Sequence, residues 1–280
     1  MKLCFMVARR VPPVPSPLLV DVFARLERRG CAIAAVIAEE TLARPDRLAV
    51  EHDLYVLKSH TELTLSLAGV LDAQGARTLN PFASCVATQD KLVASRRLRA
   101  AGVPVPRSWA TGDPEVLRSL VEIGPLILKP HRGHRGVGVR VVRDARELSA
   151  LPRADGVVLA QDYVPGPGED LKVYVIGNEV FAVRKPFSPT SFAVPGRRCE
   201  VDPEVRDIAL ACGRALGLGL YGLDVIESPQ GPVVVDVNYF PGYKGLEGVA
   251  PLVADYIEGY ARERRALRLP PLGAAADRPR

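Results

Sequence analysis

The 280-residue sequence predicts an α/β protein of three modules, and three observations carry that prediction. Through the first third, apolar strand-like runs alternate with amphipathic helical runs, the pattern of a small parallel sheet. In the C-terminal module, Gly177-Asn178 and Ser228-Pro229-Gln230-Gly231 sit between apolar runs and mark two hairpins. The second hairpin returns through Val233-Val234-Val235 into Asp236-Val237-Asn238 and a Pro241-Gly242 turn. Residues i and i+2 of a strand share a face, so Asp236 and Asn238 point the same way. A hard cation such as Mg²⁺ takes oxygen ligands set out like this.

In chain order, Lys2–Ala8 reads as a buried strand and Leu18–Arg29 as a helix stopped by Gly30. Cys31–Ile37 and Leu54–Leu57 read as further buried strands, the latter ending at Lys58. Thr61–Gln74 is a helix stopped by Gly75. No GxGxxG follows the first strand, which excludes a dinucleotide-binding fingerprint. Asn80-Pro81 begins a turn, Thr88–Ala101 is a Lys/Arg-rich helix, and Val103–Pro106 is an extended connector.

The second module has a helix over Pro114–Glu122, a strand over Leu126–Lys129, a glycine-rich loop and a strand over Val137–Val142. Helix Ala145–Leu151 and strand Val157–Gln161 complete it. In the third module, strands Leu171–Ile176 and Glu179–Arg184 pair around Gly177-Asn178. A loop over Pro186–Arg198, helix Pro203–Leu216, the hairpin of Leu223–Ile226 with Val233–Asn238, and helix Val249–Arg265 follow. The expected bounds are 1–88, 89–162 and 163–270, with a flexible tail over 271–280.

Composition narrows the function classes. The chain is 48% hydrophobic with a net charge of +5, which suits a globular protein with anionic ligands. The charge is too small and too evenly spread to argue for nucleic acid. Five widely spaced cysteines without a CxxC pair argue against a disulfide framework and for a reducing, cytoplasmic setting. No run approaches the ~20 apolar residues of a membrane span, and the apolar N-terminal run is too short for a signal sequence.

Four groups of residues carry chemistry. Asp224 lies on the strand paired with Asp236 and Asn238, so three oxygen-bearing side chains can meet one or two Mg²⁺ ions. The loop Lys129-Pro130-His131-Arg132-Gly133-His134-Arg135-Gly136-Val137-Gly138 has glycines that let backbone N–H groups approach phosphate, and cations that neutralise it. Gln161-Asp162-Tyr163-Val164 leads into a Pro/Gly hinge whose backbone can pair with an adenine edge. Lys172, Arg184 and Lys185 can stabilise charge that develops in phosphoryl transfer.

In this order, Lys129, the glycine loop, the hinge, Asp224 and the Asp236-x-Asn238 pair resemble the ATP-grasp superfamily, and Thr88-Gln89-Asp90-Lys91-Leu92 is similar to its phosphate-contacting helix. The resemblance implies a fold of three α/β modules with ATP between the central and C-terminal ones. It implies ATP contacts from Lys91, Lys129, Gly133, Gly136, Gly138, Gln161 through Val164, Asp170 and Lys172. It implies Mg²⁺ ligands at Asp224, Asp236 and Asn238.

Two branches compete for the chemistry. Asp236–Gly245, Lys172–Gly177 and Val183–Pro186 resemble the inositol-tetrakisphosphate kinases, and Val56–Thr61 is loosely similar to their Lys-containing strand end. Arg135–Val139 and the compact length resemble RimK-type carboxylate–amine ligases, although the Arg-Ser-Asn segment of that group is absent between the hairpins. Lys58, His131, Arg132, His134, Arg135, Gly242 and Lys244 are the candidates for holding an anionic small-molecule substrate. So many cations suit a phosphorylated acceptor, which makes a polyol-phosphate kinase the first expectation and a ligase the alternative.

Overall fold

The computed structural model describes residues 1–10, 13–14, 16–133, 137–151, 156–186, 195–263 and 267–272. His134, Arg135 and Gly136, most of the expected 186–198 loop and most of the expected tail lie outside them.

Strands β1 (Lys2–Met6), β2 (Ala32–Val36), β3 (Leu54–Leu57) and β4 (Thr78–Leu79) form a parallel sheet in the order β2-β1-β3-β4. Both faces of β3 are buried, which explains its unbroken apolar run. Helix α1 (Pro17–Arg28) buries Leu19, Val22 and Leu26 and packs beside β2, and α2 (Glu62–Ala73) is capped by Thr61.

The expected helix over 88–101 is in fact two. Helix α3 (Phe82–Gln89) ends before Asp90, and α4 (Lys91–Ala100) starts after it. The Asp90 carboxylate accepts from the backbone N–H groups of Leu92 and Val93 at 3.0 and 3.2 Å, a side-chain cap that opens the new helix with Lys91 at its first position.

Strands β5 (Ser108–Thr111), β6 (Leu126–Pro130), β7 (Arg140–Val142) and β8 (Val158–Asp162) form an antiparallel sheet in the order β5-β8-β6-β7. The short helices α5 (Arg118–Ile123) and α6 (Ala145–Ser149) cover it. The expected 114–122 helix opens as a 3-10 turn before α5, and β7 begins three residues later than expected.

The third sheet holds β9 (Glu169–Ile176), β10 (Glu179–Pro186), β11 (Arg197–Cys199), β12 (Leu220–Ser228) and β13 (Gly231–Tyr239), in the order β11-β10-β9-β12-β13. The two hairpins lie side by side, with β9 paired to β12. Helices α7 (Pro203–Leu216) and α8 (Ala250–Arg262) cover this sheet. The N-terminal and C-terminal sheets share one continuous buried cluster, whereas the central sheet has its own small one around Leu117, Val121, Leu126 and Leu128.

Asn80, fully buried, joins the N-terminal module to the third sheet. It accepts from the N–H groups of Gly219 and Leu220 at 2.8 and 3.0 Å and donates to the Leu220 carbonyl at 2.8 Å. The Arg77 guanidinium donates to the carbonyls of Tyr260, Ala261 and Glu263 at the C-terminal end of α8, where the helix dipole welcomes a cation.

Candidate functional site

A cavity of about 440 Å³ lies between the central and C-terminal sheets. Ile127, Val141 and Gln161 are cross-strand neighbours on one face of the central sheet and line one wall. Ile226 lines the wall opposite. Lys91, Lys129, Asp170, Asp224 and Asp236 give the cavity a charged end.

Strand geometry assembles that end. Lys172 on β9 stands opposite Asp224 on β12, and Asp224 stands opposite Asp236 on β13. Lys172 and Asp224 form an ion pair. Lys91, at the start of α4, reaches Asp236 at 2.8 Å. The Lys91 and Lys129 ammonium groups hold the Asp236 carboxyl below its ordinary range despite burial. Asp170 shows the opposite balance, since burial and the Asp224 charge push its carboxyl up to about 6.

A β-bulge completes the arrangement. Pairing runs Val225 with Val234 and Asp224 with Asp236, so Val235 is an extra residue on β13. The carbonyl of this residue accepts from Lys129 Nζ at 2.9 Å. Lys129 is only 8% exposed, and burial pulls its ammonium down while Asp236 pulls it back up. The bulge therefore gives a buried lysine a partner next to the carboxylates.

Asn238 donates to Asp236 Oδ2 at 3.3 Å and borders a second, smaller cavity with His60, Gln89 and Lys91. Among the described residues no three His, Cys, Asp or Glu side chains cluster tightly enough to hold a metal alone. The donor set is two carboxylates and one amide. Mg²⁺ accepts such a set when phosphate oxygens and water supply the other positions. The residues fit a phosphate-bound Mg²⁺ better than a free one.

The catalytic candidates divide. Lys185 lies opposite Asp170 on the face that carries Lys172 and is 2% exposed. Burial, Lys172 and Lys244 pull its ammonium down. Arg184, one residue earlier, points to the opposite face and pairs with Glu227, with one contact at 2.8 Å. Strand alternation lets only one of two adjacent residues face the site. The expectation for Arg184 is corrected on that ground.

The hinge also differs in detail. The N–H groups of Asp162 and Tyr163 donate to the carbonyls of Arg107 and Pro125, each at 3.1 Å, so they are committed within the module. Gln161 is buried and donates to Ser108, and Asp162 pairs with Arg107 at 2.6 Å. These side chains shape the wall, and both Tyr163 and Val164 line the cavity.

Of the glycine loop, Gly133 borders both cavities and Gly138 adopts φ +77° with no room for a Cβ against Pro130. His131 contributes its carbonyl to the Lys91 N–H at 2.9 Å, and Arg132 is half exposed, 4.0 Å from Asp90. Lys58 Nζ donates to the Phe240 carbonyl at 2.7 Å. Gly242 and Lys244 are exposed on the turn after β13, where the Lys244 carbonyl accepts from Tyr174 at 3.4 Å.

The apolar walls escaped the sequence reading, yet a signal was there: Ile127 stands two residues before Lys129, and Ile226 two residues after Asp224.

A family model of the RimK-like ATP-grasp domain matches residues 88–254. The chain belongs to this family. It is 27% identical to a probable alpha-L-glutamate ligase of Shewanella amazonensis over 213 residues, which is 69% of this chain and 71% of the relative. Among solved structures, the ATP-grasp RimK domain protein of Sphaerobacter thermophilus superposes with a TM-score of 0.76 at 23% identity, covering 91% of this chain and 99% of that one. The ATP-grasp ligase PsnB, solved with its minimal precursor, Mg and ADP, gives a TM-score of 0.65 at 21% identity, covering 92% and 97%. At these identities the structural likeness speaks to the ATP-grasp fold alone.

Proposed function

We propose that the protein is an ATP-dependent carboxylate–amine ligase. The observation that carries this reading is membership of the RimK-like ATP-grasp family over residues 88–254, and the charged end of the cavity, where the Lys172–Asp224 and Lys91–Asp236 pairs lie beside Lys129, supports the nucleotide half of it. A cavity with apolar walls and one charged end suits a nucleotide, its base on the Ile127 and Ile226 walls and its phosphates among the lysines. In this reading the nucleotide lies between module 89–162 and module 163–270.

The first expectation from the sequence was a hydroxyl kinase. Family membership and a ligase among the relatives support the alternative instead. By its name, the Shewanella relative makes glutamate a reasonable first amine partner to test.

Each residue then has a task. Asp224, Asp236 and Asn238 hold the Mg²⁺ of the nucleotide. When bound, that ion neutralises phosphate charge. Lys91, Lys129 and Lys172 change partners, from protein carboxylates and a carbonyl to phosphate oxygens. Lys185 stabilises the γ-phosphoryl group as it passes from ATP to the substrate carboxylate and ADP leaves. The amine then displaces phosphate from the acyl-phosphate and forms the amide. The enzyme contributes mainly alignment and exclusion of water.

A product assay tests the reading. With γ-labelled ATP and pairs of amino acids or peptides, the label should appear as inorganic phosphate together with a new amide. Label retained on a hydroxyl of a polyol phosphate would return the assignment to a kinase.

A further inference from the structure

The smaller cavity, of about 30 Å³, adjoins the charged end of the large one, since Lys91 and Gly133 border both. His60, Thr88, Gln89, Asn238 and Tyr239 also line it. They come from the loop after β3, the end of α3 and the end of β13. The volume is room for one small polar group, a water molecule or an amino group. The His60 ring stacks on the Tyr239 ring at 3.9 Å, which fixes that wall.

Four of these side chains turn their donors to the protein itself. Thr88 donates to the Ser84 carbonyl at 2.7 Å, Gln89 to the His60 carbonyl at 3.0 Å, Asn238 to Asp236 at 3.3 Å and Tyr239 to the Ser59 carbonyl at 2.8 Å. The His60 carbonyl also settles which end of the Gln89 amide is nitrogen, because only an N–H can face it. Gln89 Oε1 is thereby left as an acceptor, buried and, among the described residues, without a partner. A buried amide oxygen without a donor costs free energy, and a ligand that brings an N–H removes the cost.

We propose that the small cavity seats the attacking amino group of the amine partner, and that Gln89 Oε1 accepts one of its N–H hydrogens and so orients it. The inference rests on the ligase reading and goes beyond it, by naming the residue that aims the nucleophile. The Lys91 ammonium at the cavity's edge disfavours a second cation there, so the amino group reacts in its neutral form. Its lone pair forms the C–N bond to the acyl carbon. The C–O bond to phosphate breaks with its electron pair on the phosphate oxygen, and the surplus amine proton leaves with the phosphate. The small volume admits a primary amine and excludes an N-alkylated one.

The test uses the full chain with Mg-ATP, the acid partners of the product assay, and glutamate and other amino acids as amines, each against its N-methyl form. N-methylation should lower kcat/KM for the amine at least about tenfold. Gln89→Met, of similar length and without an acceptor, should raise KM for the primary amine about five- to tenfold. KM for ATP should stay within about twofold, and the acyl-phosphate, trapped by hydroxylamine as hydroxamate, should form within about threefold of the parent rate. More ADP should be released per amide, because water takes the acyl-phosphate that the amine misses. Gln89→Glu separates the two ends of the side chain: it keeps an acceptor oxygen and loses the donor to the His60 carbonyl. It should recover most of the loss.

An unchanged KM for the amine in Gln89→Met, the result of a cavity that holds only a structural water, would overturn the assignment. So would equal losses in Gln89→Met and Gln89→Glu, which would leave the His60 bond as the whole role of the side chain. If Gln89→Met fails to fold, the parent decides: N-methyl amines used as well as primary ones overturn the assignment. Each of these results leaves amide synthesis, and so the ligase reading, intact. If no amide forms with any pair, the ligase reading has failed, and calorimetric binding of the same amines in the presence of Mg-ADP decides the cavity by itself. Tighter binding of a primary amine than of its N-methyl form, weakened in Gln89→Met, supports it, and any other outcome overturns it.

Discussion

Lys172 and Asp224 stand directly opposite each other on neighbouring antiparallel strands and close into an ion pair at the charged end of the cavity, which Asp224 lines. The pair neutralises two groups that would otherwise be desolvated alone. It also holds a candidate metal ligand and a candidate phosphate ligand against each other, ready to separate when Mg-ATP offers both a better partner.

Lys172→Met should therefore destabilise the nucleotide-free protein by about 1–3 kcal/mol, because it leaves the Asp224 charge half-buried without its partner. With saturating Mg-ADP the loss should shrink, since the ion takes over the carboxylate. Thermal unfolding of both proteins with and without Mg-ADP measures this. An equal loss in both conditions would mean that Asp224 does not pass to the metal.

Arg184 and Lys185 are adjacent but face opposite ways. Lys185→Met should lower kcat by about 10²–10³ with little change in folding. Arg184→Gln should leave kcat within about threefold and cost about 1 kcal/mol of stability through the partly exposed Glu227 pair. A collapse of kcat in Arg184→Gln would restore that residue to the site.

Asp170 predicts a pH dependence. In the folded chain it titrates near 6, against about 3.9 when unfolded. Between these values the folded state holds a proton that the unfolded state has lost, so stability falls as pH rises through the window, and above 6 the penalty is complete. Asp170→Asn removes the charge. Without nucleotide it should be more stable than the parent at pH 7.5 by on the order of 1–2 kcal/mol, with the gap closing towards pH 4. Urea titrations across that range would show it, and a gap that widens on acidification would contradict the assignment.

Asn80 makes three buried hydrogen bonds to the start of β12. Asn80→Ala leaves those backbone groups unpaired and should cost about 2–4 kcal/mol, read as a lower urea midpoint with an unchanged slope. A loss below about 0.5 kcal/mol would show that water replaces the amide there.

Much of this site was legible because a strand repeats every two residues. Lys129 and Asp236 end apolar runs, Asp224 and Lys172 sit on the strands of the two hairpins, and the structure brings the four together at one end of the cavity. The same periodicity, applied strictly, would have separated Arg184 from Lys185. Other features left no such trace. The Val235 bulge needs the partner strand to define it. Strands β5 and β11 are short edges whose pairing comes from distant segments. Asp90 breaks a helix through a local capping bond that competes with an otherwise continuous helical pattern. The choice of acceptor chemistry lay beyond the motifs, because ligases and kinases both need the same nucleotide end.

The separate core of the central sheet has a mechanical consequence. The N-terminal and C-terminal sheets, sharing one buried cluster, form a single cooperative unit, while the central module can open as a smaller unit of its own. A nucleotide bridging Lys129 and Asp224 would staple the two together. Its binding energy would then fall mostly on the smaller unit, so protection from limited proteolysis within 117–160 becomes a direct gauge of occupancy.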